Sequence, residues 1–375
     1  MQNLEITKHQ NTAQEMPPRR YEKPIWKRLE LPEHMFPLGS NRVEEAVTVK
    51  GEGVHISDLK DLNSLYFTLD AFTKNLGDVF TSYVTEEAGH GKLIRSDART
   101  FEAPQVEIVY GLDSEKSVLA DHTYILVEEG AKLTVVLDYK SATENPLAPE
   151  QHYGLTRVHV KRGGMLRLVK LQRLADHANH FDQVMSVVEE GATLELVDVQ
   201  FGAKTKAVAY ETHLMGRQAQ ANLNSMYFGD SGSQLDLSFT MKHFGAQSHS
   251  TILSKGALAG DSKKTFRGNL IFETGSAQSI GREKETVMLL DEKVKSDSIP
   301  ALLCSEDDVI GEHAASVGQL DEEKIFYLMS RGMSLDAAKK LVIKASFEEI
   351  LTTLGDEKLK AEIENFLDRR LDDGI

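Results

Sequence analysis

Gly130-Ala131-Lys132-Leu133-Thr134-Val135 is a short phrase that the chain repeats. It returns as Gly163-Gly164-Met165-Leu166-Arg167-Leu168, as Gly191-Ala192-Thr193-Leu194-Glu195-Leu196 and as Gly232-Ser233-Gln234-Leu235-Asp236-Leu237. Each copy reads glycine, small residue, any residue, leucine, polar residue, apolar residue, and two copies follow a Glu-Glu pair, Glu128-Glu129 and Glu189-Glu190. Glycine permits a tight reversal, and the leucine three positions later is the first residue whose side chain turns inward on the strand that follows. Recurrence of one turn-and-strand unit suggests coils stacked on one another, each covering its neighbour's apolar face. The glycine spacings of 33, 28 and 41 residues are irregular for a short repeat and require loops of different length between coils. A β-sandwich or jelly roll would also place glycines at strand boundaries, so the pattern leaves those two architectures open beside the parallel β-helix.

Working outward, the alternating pattern starts at Val106, Ile108 and Tyr110 and continues to about Val309. Before it, residues 1–24 are polar and proline-bearing, and 25–37 form an amphipathic piece with the only tryptophan, Trp26. Leu65, Leu69, Phe72 and Leu76 predict a core-facing helix over Leu62–Leu76. After Gly318 the period becomes helical, over 321–331, 335–354 and 357–371. Asp321 and Ser334 are suited to capping the first two of these, and Gly332 to ending the first. The stripe of Leu359, Ile363, Phe366, Leu367 and Leu371 must cover either the β body or another subunit. The expected domains are a partly helical N-terminal region at 1–100, a β core at 101–317 and a helical C-terminal domain at 318–375.

At 375 residues the chain can bury a large core. Its net charge of −15, about half of it in the last 75 residues, argues against nucleic acid and anionic membrane surfaces as partners. One cysteine, Cys304, excludes an intramolecular disulfide and a cysteine-rich metal site. The polar N-terminus and the lack of any long apolar run lead to the expectation of a cytoplasmic protein with no membrane contact.

The seam between the β body and the helical tail reads DDVIGEHAASVGQLDEEKIFYLMSRGM, from Asp307 to Met333. This string resembles the C-terminal signature of the SufB/SufD family of iron–sulfur cluster assembly scaffolds, and of its two branches it is more similar to SufD. Phe266-Arg267-Gly268, Val287-Met288-Leu289-Leu290 and Ser298-Ile299-Pro300 fit more loosely. The resemblance spans about 101–354 and is strong only after Phe266. It implies a right-handed parallel β-helix between a mixed N-terminal region and an α-helical C-terminal domain. It also implies a non-enzymatic SufD-like subunit that pairs with SufB through the β-helix and with the SufC ATPase through the helical domain. Phe326, Tyr327 and Arg331 of the signature would then be partner-binding residues. A homodimer is the expected state when SufB is absent.

Several candidate chemistries follow from the residues. Gly256 to Lys263 is glycine-rich but lacks the Gly-Lys-Ser/Thr ending of a phosphate loop. His177 and His180, near Asp176 and Asp182, have a helical ligand spacing, yet their sequence reads as a loop carrying solvated histidines. By resemblance, His313 is the metal candidate, a ligand for iron or a cluster at the SufB interface, with Glu312 as the carboxylate that orients its ring. Many SufD relatives carry a cysteine where this chain has Gly311, and SufB carries one near Glu285. Cys304 alternates with Leu302 and reads as a buried packing thiol, the weaker metal candidate. Because clusters are held mainly by thiolates, no cofactor is expected on the chain alone, and a cluster would be shared transiently with SufB. From a different class, a carbohydrate-active β-helix enzyme is the alternative, with few aromatics to support it.

Overall fold

The computed structural model describes residues 44–59, 76–89, 91–113, 115–142, 149–230 and 232–374, together with Leu29, Phe36 and Phe72. Apart from Phe72 and Leu76 the helix expected over Leu62–Leu76 lies outside them, as does the piece around Trp26 apart from Leu29 and Phe36. The chain is mainly β and coils into a parallel β-solenoid of about eight turns, followed by a helical region.

One sheet of the solenoid is ordered β1 (Glu44–Lys50), β4 (Gln105–Leu112), β6 (Lys132–Ser141), β8 (Met165–Arg173), β10 (Thr193–Gln200), β12 (Gln220–Gly229), β14 (His249–Leu258), β16 (Ser279–Leu289) and β19 (Val309–Gln319). The second sheet runs from β2 (Val54–Asp58) and β3 (Lys92–Ser96) through β5 (Val118–Val127), β7 (Gln151–Val160), β9 (Asn179–Val188), β11 (Thr205–Leu214), β13 (Gln234–His243) and β15 (Lys263–Phe272). It ends on two short strands, β17 (Lys295–Ser298) and β18 (Ala301–Cys304), both paired with β15. Successive coils pair parallel, whereas β1 and β2 close the first coils antiparallel, against β4 and β3.

The repeated phrase marks the corners of this coil. Gly130, Gly163, Gly191 and Gly232 all have positive φ, and Leu133, Leu166, Leu194 and Leu235 all enter the inner core. The irregular spacing has a geometric cause: the first three copies open β6, β8 and β10 of one sheet, but the fourth opens β13 of the other. At the corner of Gly130, Gly163 and Gly191 the later coils use Gln218, Gln247 and Gln278, with φ of 58°, 58° and 61°. Each N–H there donates to the next coil, Gly163 to Glu190 O (2.9 Å) and Gln247 to Ala277 O (2.9 Å), for example. Glutamine in this left-handed region is uncommon and persists because the stacked turn over-determines it.

The outer face of the first sheet is apolar, with Val169, Val197, Val199, Phe201, Met226 and Phe228 among its buried residues. It is covered by α3 (Leu335–Leu351) and α4 (Glu357–Gly374), through Phe347, Ile350, Ile363 and Leu367 among others. The stripe on α4 therefore covers the β body of its own chain. Arg370 fixes α4 to the solenoid through Asp176 and Asp230. The second sheet's outer face packs on α1 (Asp78–Glu87), a helix the periodicity had not indicated, with Phe80 and Val84 against Tyr153, Phe181 and Met185.

His122 lies buried on this outer side and accepts a hydrogen bond from Arg157 Nε (2.9 Å). Burial, then the neighbouring guanidinium, pushes its pKa down to about 3. The folded value lies below that of an unfolded histidine, so the stabilisation is present above about pH 6.5 and is lost as the pH falls toward 3. Glutamine can accept the same hydrogen bond without titrating. Wild-type unfolding free energy should therefore fall, relative to His122→Gln, by about 1.4 kcal/mol per pH unit below pH 6. Urea melts of both proteins between pH 4 and 7.5 would show it, and parallel profiles would refute it.

Candidate functional site

The two ends of the solenoid differ. Antiparallel strands cap the first coils, but among the described residues the last coil, made of β17, β18 and β19, has no strand beyond it. Its apolar side chains are open: Leu303 is 57% exposed, Ile310 49% and Val317 45%. A free strand edge with exposed apolar side chains is a template for another chain.

His313 sits in the middle of β19, in register with Glu283 of β16. The turn expected around it is a strand, because its backbone extends the parallel ladder by one coil. Strand alternation places Gly311, His313, Ala315 and Val317 on the lumen side, over the buried Gly281, Glu283, Glu285 and Val287. His313 is exposed because no further strand among the described residues covers it. Glu312 faces the other way and accepts from Arg282 Nε (3.0 Å), so it is not the carboxylate beside the imidazole. In register with His313 on the preceding strand, and on the same face, stands Glu283, which the sequence reading missed because a whole coil of sequence separates the two.

Glu283 is 3% exposed, and neither carboxylate oxygen has a hydrogen-bond partner. Burial, with the like charge of Glu285 behind it, pushes its pKa up to about 7. Glu285, near the position of a cysteine in SufB, is by contrast saturated. It accepts from Lys264 Nζ (2.6 Å), Tyr227 OH (2.8 Å) and Ser298. The cradle is built for a carboxylate and an ammonium group, and a buried ion pair of this kind needs all of its partners.

Cys304 is exposed, which corrects the expectation of a packed thiol. It pairs with Phe272 at the end of β18, and among the described residues no further coil covers it. A Cβ on Gly311 would approach Leu302 Cδ1 to 2.5 Å and Phe272 Cε2 to 3.3 Å. The room that a cysteine would need is thus held by Leu302.

His177 and His180 do not meet as a metal pair. His177 is exposed, but His180 is buried in β9, contrary to the expected solvated loop, and stacks on His152 with ring centroids 4.7 Å apart. His152 Nε2 donates to Asp121 (2.5 Å), and its Nδ1 accepts from His180 Nδ1–H (2.8 Å). His180 Nε2 remains without a partner. Burial holds both rings neutral, His152 at about 3 and His180 well below the usual range. Nearby, Lys170 pairs with Asp182 (2.8 Å), and the Tyr210 hydroxyl lies between Asp182 (2.7 Å) and Asp198 (3.0 Å). Asp182 is therefore committed to this network, and Asp176 to Arg370. Among the described residues no group of three His, Cys, Asp or Glu side chains is arranged to hold a metal.

At the other end of the tail, α2 (Glu322–Ser330) is capped by Asp321, whose carboxylate accepts from the N–H groups of Glu323 and Lys324 (both 3.1 Å). Its Phe326 is 73% exposed and its Tyr327 56%. Arg331 places its guanidinium 5.3 Å from the centre of the Tyr327 ring. Beside them a cavity of about 450 Å³ is lined by Leu289, Leu320, Ile325, Phe326, Met329 and Leu335. No helix among the described residues is long and apolar enough to cross a membrane.

The contact that a Cβ on Gly311 would make falls on the methyl end of Leu302, which is 38% exposed at the open edge and can turn aside. Gly311→Cys should therefore shift the melting temperature by no more than about 2 °C, as a change outside a packed core does. Differential scanning calorimetry checks the account, and a loss of several degrees would show that Leu302 cannot move.

Comparison with known proteins now places the chain. Residues 110–346 match the family described as "SUF system FeS cluster assembly, SufBD core domain". The iron-sulfur cluster assembly SufBD family protein ML0593 of Mycobacterium leprae is 26% identical over 73% of this chain and 35% of its own length. The iron-sulfur cluster assembly protein SufB of Bacillus subtilis is 28% identical over 65% of this chain and 52% of its own length. SufD of the same organism is 24% identical over 84% of this chain and 75% of its own length. The chain thus spans about half or less of the first two relatives. With a single family match that covers most of the solenoid and the first helices of the tail, the chain belongs to the SufB/SufD family of the SUF system of iron–sulfur cluster assembly.

Proposed function

We propose that the chain is a SufD-like, non-enzymatic scaffold subunit, with the iron–sulfur cluster as its cargo. The observation that carries this reading is the open last coil, where His313 and exposed apolar residues end a solenoid whose other end is capped. The edge of β19 would pair with a SufB relative by continuing the parallel ladder. In the partner's absence the same edge would accept a second copy of this chain. The exposed Phe326 and Tyr327 on α2, with Arg331 and the adjoining cavity, are suited to a SufC-type ATPase. Such a subunit would work in the cytoplasm. A carbohydrate-active enzyme gains no support, since α3 and α4 cover the outer face of the first sheet, a surface that such an enzyme would offer to a polysaccharide.

His313→Ala tests the cluster role. The residue is exposed and supports no packing, so the variant should melt like wild type and still co-purify with the SufB and SufC relatives. Cluster maturation in the complex, followed by iron and sulfide analysis, should fail. Wild-type maturation rates would reduce His313 to a surface residue. Docking of the ATPase is tested separately by Phe326→Asp. Deleting the tail would uncover the apolar face under α3 and α4, so a point change is the cleaner probe. Phe326→Asp should leave the melt unchanged and weaken ATPase association by at least about tenfold, the loss of one well-packed aromatic anchor. Undiminished pull-down would move the contact elsewhere.

A further inference from the structure

Arg157 is a buried cation whose surroundings do not account for its charge. It lies on the outer face of β7 and is only 2% exposed. Among the described residues it forms no ion pair, and its one hydrogen bond runs from Nε to His122 Nε2 (2.9 Å). Its guanidinium stands 5.4 Å from the centre of the Tyr124 ring. An aromatic ring meets the flat face of a guanidinium and takes up none of its N–H groups. The Nη donors are therefore left without an acceptor among the described residues. Burial lowers the pKa to about 10, so the group stays charged at neutral pH.

Strand register explains why no carboxylate comes to it. On the outer face Arg157 pairs with Tyr124 of β5 and Met185 of β9. The first acid along that row is Glu211, one strand beyond Met185, and it is bonded to His213 Nε2 (2.6 Å). The outward neighbours on β7 are Leu155 and His159, and His159 is taken by Glu189 (2.7 Å). His122 is fixed in place by the turn from α1 to β3. A Cβ on Gly91 there would come within 3.0 Å of the His122 carbonyl oxygen and 3.4 Å of Nδ1. Because arginine can only donate, His122 Nε2 is the acceptor and the ring proton sits on Nδ1. That N–H also has no acceptor among the described residues. The two side chains present unfilled donors and no unfilled acceptor, the complement of an anion.

The paired N–H groups along one edge of a guanidinium match two oxygens of a carboxylate or phosphate. We propose that Arg157, held by His122 and Tyr124, is the anchor of a site for one small oxyanion of the carboxylate or phosphate class. The site lies on the early coils, away from the open edge, and stands independently of the scaffold reading.

The test adds inorganic phosphate or acetate to the full chain in Tris chloride at about pH 7.5 and constant ionic strength. At saturation at least one of them should raise the wild-type melting temperature by about 2 °C or more, because a ligand confined to the native state stabilises it. Equilibrium dialysis should find about one equivalent bound. A response to phosphate alone identifies a tetrahedral ion, and a response to acetate alone a planar one. Arg157→Met, similar in length and uncharged, should abolish both shift and binding. Arg157→Lys keeps the charge but loses the fork, and should bind at least about tenfold more weakly. Arg217→Met, at an exposed arginine, should respond like wild type. A wild type indifferent to both ions would overturn the site, as would an equal response from Arg157→Met. If Arg157→Met does not fold, undiminished binding by Arg157→Lys overturns it instead.

Discussion

The backbone hydrogen bonds between coils are the interaction on which everything else in this molecule depends. A strand in a parallel solenoid satisfies its N–H and C=O groups only through the strands before and after it, in fixed register. That register aligns chemically related side chains into columns, and it passes from Thr193 paired with Met165 to Thr193 paired with Gln220 without a slip. The same requirement leaves an open edge. The first coils meet antiparallel strands that close the ladder, and among the described residues no strand pairs with the free side of the last coil. Such edges are ordinarily blunted in proteins that work alone.

Register also explains why the lumen can be polar. On the first sheet Lys170, Asp198, Ser225, Ser254 and Glu285 follow one another in a single column. The facing sheet brings His152, His180 and Lys206 in line in the same way. Most buried polar groups need a partner, and columns from two sheets supply partners across the lumen, as Lys170 finds Asp182 and Lys264 finds Glu285. Asp198 accepts from Ser225, Gln200 and the Tyr210 hydroxyl, yet burial still pushes its pKa up to about 6. The core is therefore divided between an apolar layer near one corner and a hydrogen-bonded layer beside it. Apolar packing supplies most of the stability, and the polar layer penalises any shift of register.

The helical region has two faces with different surroundings. Helices α3 and α4 bury their apolar residues on the first sheet and are held there by Arg370, and by Lys255 bonded to Glu349 (2.5 Å). Helix α2 stands at the end of this layer with Ile325 buried and Phe326 and Tyr327 exposed. One side of the tail thus completes the core of its own chain, while the other leaves aromatic side chains exposed. Both follow from the same amphipathic periodicity, read on opposite sides.

The sequence by itself determined the local features of this protein. The glycine of each repeated phrase marks a left-handed corner, the leucine three residues later marks the lumen, and Asp321 and Ser334 mark helix starts, because each depends on neighbours within a few residues. The family signature is likewise contiguous, from Asp307 to Met333. What only the tertiary structure decided depends on which coil lies next to which. Gln218, Gln247 and Gln278 replace glycine at a corner that only stacking defines. His180 looked like a loop residue and is buried because β7 and β11 flank it. Cys304 looked like a core residue and is exposed because β18 lies at the open edge of the described solenoid. Glu283 lies thirty positions from His313 in the chain and beside it in the fold, since a solenoid converts one turn of sequence into a single strand spacing.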